Sequence, residues 1–81
     1  MPYIKQQDKD ALRHRPAETP GELNYSITTI AQAYIHTHGL SYKNINDVLG
    51  ALEGAKLEFY RRIAAPYEDE KMKENGDVYD T

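Results

Sequence analysis

The side chains best suited to hold a ligand lie close together, at Tyr60, Arg61 and Arg62, with Tyr67 one step beyond Pro66. Arginine presents a planar fork that matches phosphate or carboxylate, and a tyrosine ring offers a face for stacking. The chemistry this points to is capture of an anion that carries a ring. The competing reading is structural: Arg62 pairs with Glu58 one turn back, and Arg61 with acidic residues of the tail or of a neighbouring molecule.

Other chemistry finds less support. There is no cysteine, which excludes disulfides, thiolate metal sites and a thiol nucleophile. His36 and His38 stand two apart, so on a helix they point about 200° from each other and cannot share a metal ion within one chain. His14 is remote in sequence. No metal and no cofactor is expected. Ser26 and Ser41 lack the glycine-flanked elbow of a serine hydrolase and have no evident base. Glu53, Glu58, Glu68, Asp69 and Glu70 read as solvated helix charges. No phosphate loop or dinucleotide fingerprint occurs. These absences argue against an enzyme.

The elements that would position the Tyr-Arg patch are helical. Thr19-Pro20-Gly21-Glu22 puts a hydroxyl at the N-cap, proline at the first helical position and glutamate at the third, which is a capping box. Leu23, Ile27, Ile30 and Tyr34 then recur at helical spacing, with Ala31 beside them, and form one apolar stripe. Tyr25, Gln32 and His36 lie opposite. Gly39 is the expected left-handed residue that ends this helix, which spans about 20–38.

A second, longer helix is expected over about 44–65. Asn44 is its expected cap, with Asp47 favouring the positive helix end. Ile45, Val48, Leu49, Leu52, Phe59 and Ile63 share one face and are expected to be core, with Lys56 snorkelling along the edge. Gly50, Gly54, Leu57 and Arg61 line another face. Each mid-helix glycine costs roughly 1 kcal/mol against alanine, so the pair suggests a close approach by another subunit, by the first helix or by a ligand. Gly50, Gly54 and Leu57 are therefore the expected interface residues.

The short link between these helices predicts an antiparallel hairpin. Pro66 is expected to break or kink the helix, separating a C-terminal helix over about 67–75 that Asn75-Gly76 closes. Glu58 with Arg62, and Asp69 with Lys73, are spaced for ion pairs. A weak helical pattern runs from Lys5 to about Arg13 within an arm of residues 1–19. Residues 77–81 form a tail, whose Val78-Tyr79 pair is suited to dock. The fold class is all-α, in one domain over residues 1–81.

With 81 residues and no cysteine, the chain has little surface to bury and no staple, which favours a homo-oligomeric helical bundle, although a well-packed three-helix domain of this size can stand alone. Its net charge of −3 is uneven. Residues 1–65 carry eight basic and seven acidic side chains, residues 66–81 two and six. The acidic end argues against nucleic acid, whose binding needs a basic footprint. No run of about 18 apolar residues is present to span a membrane. The N-terminus has no apolar signal core. A cytoplasmic protein is expected.

The blocks PAETPGELNY (16–25), GLSYKNINDVLGALEGAKLEFYRR (39–62) and PYEDEKMKENGDVY (66–79) resemble a family of small uncharacterised proteins of tailed phages, prophages and bacteria. The resemblance runs from Pro16 to Tyr79. It implies a phage-type context and carries over no activity and no site residue. Small phage proteins often act against host defences, and some are oligomeric helical sponges for nucleotide signals. By that analogy the expected function is a non-enzymatic, anti-defence binding protein that sequesters an anionic, nucleotide-type signalling molecule of the host between subunits. Tyr60, Arg61, Arg62 and Tyr67 would be its contacts. The alternative is a protein-interaction module that inhibits or adapts a host protein.

Overall fold

The computed structural model describes residues 1–80, and all regular structure among them is helical. Four α-helices follow one another: α1 Gln6–Ala11, α2 Pro20–His38, α3 Tyr42–Phe59 and α4 Ala65–Asn75. A π-helical turn, Tyr60–Ala64, joins α3 to α4. Among the described residues, no helix is long and apolar enough to cross a membrane. The chain divides into two compact units, with the boundary inside α3 between Val48 and Leu49.

In the first unit, α2 starts as its sequence dictates. Thr19 is extended, with φ −132° and ψ 158°, and its Oγ1 accepts the N–H of Glu22 at 3.1 Å. Pro20 fits because the first helical N–H has no partner to lose. The reciprocal half of the capping box is displaced by one residue. Glu22 Oε1 accepts the N–H of Glu18 at 3.1 Å rather than that of Thr19. Helix α1 is shorter than the pattern suggests and closes in a turn, where Arg13 N–H meets Asp10 O and His14 N–H meets Ala11 O.

The arm lies over a face of α2 that the sequence pattern marks as polar. Gly21, Tyr25, Ser26 and Thr29 are partly covered and Glu22 is buried, whereas Leu23, Ile27, Ile30 and Tyr34 are exposed. Gly21 makes this possible. A Cβ there would sit 3.2 Å from Met1 O and 3.3 Å from Ile4 Cγ2, tighter than ordinary contact. Lys9 Nζ lies 5.5 Å from the centre of the Tyr25 ring.

The corner between α2 and α3 corrects two expectations. Gly39 has φ 98° but ψ 160°, an extended mirror conformation rather than the left-handed helical one, and its N–H bonds Ile35 O at 2.7 Å. Only glycine adopts it readily. Helix α3 begins two residues before Asn44. Ser41 is the capping residue, with Oγ accepting the N–H of Asn44 at 3.1 Å and its carbonyl accepting Ile45 N–H at 2.9 Å. The Asn44 amide is thereby free to turn back, and it donates to His38 O and Gly39 O at 3.0 and 2.9 Å. It ties down the end of the preceding helix instead of the start of its own.

The second unit contains the rest of α3, the π turn, α4 and the tail. Pro66 does not break the helix. Ala64 and Ala65 keep right-handed helical angles, and Ala65 N–H bonds Tyr60 O, five residues back. An α-helix would ask the N–H of residue 66 to bond Arg62 O, and proline has none to give. The wider turn makes room for the ring, and α4 then runs from Ala65 to Asn75 and is capped by Gly76, whose N–H bonds Met72 O at 2.9 Å with φ 88°. Gly76, not Asn75, is the terminating residue.

The expected core is not formed. No hydrophobic side chain among the described residues is buried. On α3, Ile45 and Val48 are partly covered, but Leu49, Leu52, Phe59 and, in the π turn, Ile63 are 59, 40, 64 and 56% exposed. The apolar stripes that a closed hairpin would bury stay in solvent.

Candidate functional site

Tyr60, Arg61 and Arg62 all fall in the π turn, and Tyr67 lies in the first turn of α4. A π insertion requires a local reason, here Pro66, and such turns are frequent at functional positions. All four side chains are exposed: Tyr60 and Tyr67 by 54 and 59%, the two arginine side chains by 68% each.

Each of them has a neighbour in the chain. Tyr60 O–H donates to Glu68 Oε1 at 3.1 Å, and this hydrogen bond to a carboxylate, with its charge, pushes the phenol pKa up. Arg61 Nη2 donates to Glu58 Oε1 at 2.6 Å. Arg62 Nη1 lies 4.0 Å from the same oxygen. The expected Glu58–Arg62 pair is thus present but secondary to Glu58–Arg61. Lys71 Nζ stands 5.5 Å from the centre of the Tyr67 ring. The structure therefore brings Arg61 and Arg62 together on one carboxylate. It sets Tyr60 against Glu68 and Tyr67 against Lys71.

A groove of about 480 Å³ occurs lower on α4, between Glu68, Asp69 and Met72 on one side and the tail residues Asp77, Val78 and Tyr79 on the other. Tyr79 N–H donates to Asp77 Oδ1 at 2.9 Å, which turns the tail. Val78 and Tyr79 remain 91 and 76% exposed, so they line the groove without docking into it. The tail's last position, residue 81, lies outside the described residues. Three carboxylates against one lysine make this groove a poor host for an anion.

The glycine face is open. A Cβ at Gly50 or Gly54 would meet nothing within 4 Å, and Leu57 is 60% exposed.

Two polar clusters are not evident from sequence. The first is centred on Glu22, the one buried polar residue among those described. Arg15 grips it with both nitrogens, Nη1 to Oε1 at 2.7 Å and Nη2 to Oε2 at 3.2 Å, and Glu18 N–H adds a third bond. Such bidentate charge-assisted pairs are strong and directional. The Arg15 bond, reinforced by the Glu18 N–H, holds the Glu22 carboxyl below the usual range, and Glu22 raises the Arg15 pKa. Arg15 also donates to Pro16 O at 3.1 Å. The available signal is an arginine seven residues before a capping-box glutamate.

The second cluster is Asp47, which accepts Lys43 Nζ at 3.0 Å and Tyr34 O–H at 3.1 Å. Both bonds lower its pKa, Lys43 foremost. The Tyr34 ring in turn lies 4.4 Å from the His38 ring. Sequence spacing cannot give the Tyr34–Asp47 contact, since it depends on the turn at Gly39. No group of three potential metal ligands forms among the described residues.

Against known proteins, a family model described as a domain of unknown function (DUF6899) matches residues 1–78. No curated protein and no solved structure matches.

Proposed function

The chain belongs to the DUF6899 family, which transfers no activity, and we propose that it is a non-enzymatic binding protein that works as a homo-oligomer. The observation that carries this reading is the uncovered apolar surface. Leu23, Ile27, Ile30, Leu49, Leu52, Phe59 and Ile63 are all exposed, and no hydrophobic side chain among the described residues is buried. Isolated amphipathic helices are marginal in water and gain their stability from packing an apolar face. Further copies of the chain supply the missing partner. Size-exclusion chromatography with light scattering tests this at micromolar concentration. A multiple of 9.3 kDa is expected, and a strict monomer overturns the proposal.

A second reading concerns the ligand. Arg61 and Arg62 share the Glu58 carboxylate, which neutralises only one of the two guanidinium charges, and the exposed Tyr60 and Tyr67 side chains stand nearby in sequence. This favours an anionic small molecule of the nucleotide class, held at the Tyr-Arg patch of the π turn beside the open face of Gly50, Gly54 and Leu57. By analogy with small phage proteins that act as helical sponges, the ligand would be a signalling nucleotide of the host. Thermal-shift assays against cyclic nucleotides and ADP-ribose-type compounds should raise the melting temperature, and Arg61→Ala with Arg62→Ala should abolish the rise. If no nucleotide acts and a host protein is retained in a pull-down, the interaction-module reading replaces it.

A further inference from the structure

The apolar residues of α3 and the π turn are not scattered over their face. Ile45, Leu49, Leu52, Lys56, Phe59 and Ile63 follow one another at intervals of four, three, four, three and four, which is the seam of a coiled coil. In heptad terms Ile45, Leu52 and Phe59 are d positions, and Leu49, Lys56 and Ile63 are a positions. The helix that carries them is unbroken from Tyr42 to Phe59. Four residues in the wider π turn come close to one full turn, so Ile63 stays in line above Phe59. The face is exposed at Leu49, Leu52, Phe59 and Ile63, and Lys56 is 77% exposed.

We propose that a second copy of this chain docks antiparallel along that seam, with the two-fold axis at the level of Gly54. The proposal rests on the homo-oligomer reading and names the surface and register that it uses. Charge decides the direction. In a parallel, in-register pair Lys56 would meet Lys56 of the second copy inside an apolar seam, which is destabilising. Antiparallel pairing sets a positions against d positions. Ile45 then meets Ile63 of the second copy, Leu49 meets Phe59, and Leu52 meets the stem of Lys56. All six pairs are symmetric about Gly54, so the whole seam is used and no residue is left over. Glu53, already 3.6 Å from Lys56 in its own chain, flanks the axis. The two Glu53 carboxylates and the two Lys56 ammonium groups therefore gather at the centre with balanced charge. A single lysine within a seam is a known device for fixing register at some cost in stability. Gly50, Gly54 and Leu57 lie on the outer side of such a pair and stay open.

Because the chain has no cysteine, engineered thiols report the register directly. Ile45→Cys and Ile63→Cys are made separately in the full chain. Each alone should stay uncrosslinked under mild oxidation, while an equimolar mixture should give mainly the mixed disulfide. Homodimers from each single variant, and no excess of the mixed one, would establish parallel pairing and overturn the proposal. No disulfide from any combination, in protein that light scattering shows to be oligomeric, overturns the seam and leaves the oligomer standing. Monomeric protein overturns both and points to a different protein as the occupant. A second pair of variants removes the same apolar contact with opposite charge. Leu52→Lys would face Lys56 of the second copy and Leu52→Glu would complement it, so the lysine variant should dissociate at least tenfold more readily. Equal affinities would refute the register.

Discussion

At the scale of residues, the best-defined contact in the molecule is Arg15 with Glu22. The Glu22 side chain is only 7% exposed, although no apolar side chain around it is buried. Its cover is local, made by the arm, the Arg15 guanidinium and the Glu18 backbone. Such a carboxylate links arm docking to pH. Its folded pKa lies below its unfolded one, so its contribution is present above the ordinary glutamate range and is lost as pH falls through the lower, folded value. Asp47, held down by Lys43 and Tyr34, acts in the same direction at the corner. On acidification the arm should leave α2, and NMR signals of the Gly21 and Glu18 amides should titrate together below the usual carboxylate range. In Glu22→Gln those signals should lose the transition. An ordinary titration of Glu22 would show that the pair is loose in solution. Sequence alone hides this contact. Arg15 stands in a connector beside Pro16, where helical spacing rules assign it no partner, and only the path of the arm brings it back to α2.

At the scale of elements, helix starts and stops are legible where they depend on neighbours in the chain. The start of α2 at Thr19-Pro20 and its stop at Gly39 follow from local chemistry, and the structure has both. The start of α3 is ambiguous in sequence because Ser41 and Asn44 are each able to cap. The choice depends on the carbonyls of His38 and Gly39 that the corner brings near. The π turn is not legible at all. Proline announces a defect, but its missing N–H and its ring do not by themselves say whether the helix bends, breaks or widens. The glycines of α3 give this scale its prediction. With open space at both positions, Gly50→Ala and Gly54→Ala should each stabilise an isolated helix by roughly 1 kcal/mol. Denaturant unfolding of the single variants measures this. Stabilisation in both the monomer and the assembly would mean that the glycine face is free. A stabilised helix with weakened assembly would mean that another copy or a ligand needs the close approach there, and Gly54→Leu should then weaken assembly further.

At the scale of the whole molecule, periodicity reveals which side chains share a face but not what covers each face. The Leu23–Tyr34 stripe of α2 and the Ile45–Ile63 stripe have the pattern of core, while the arm instead covers the small and polar face built from Gly21, Glu22, Tyr25, Ser26 and Thr29. An apolar stripe has direction within its own helix only, and it is silent on whether the partner belongs to the same chain. If other copies complete the apolar stripes, as proposed, folding and association are one equilibrium, and stability depends on concentration. A roughly hundredfold rise in protein concentration should raise the melting temperature of a dimer of this size by about 5–10 °C. Circular dichroism at both ends of that range measures it, with helix content falling at the dilute end before the temperature is raised. The docked arm supplies a control, because the Arg15–Glu22 contact lies within one compact unit and needs no second copy. Amide protection at Glu22 should therefore change less with dilution than protection at Leu52. A melting temperature and protection pattern independent of concentration would mean that the exposed stripes are tolerated by a monomer, and the assembly reading would fall with them.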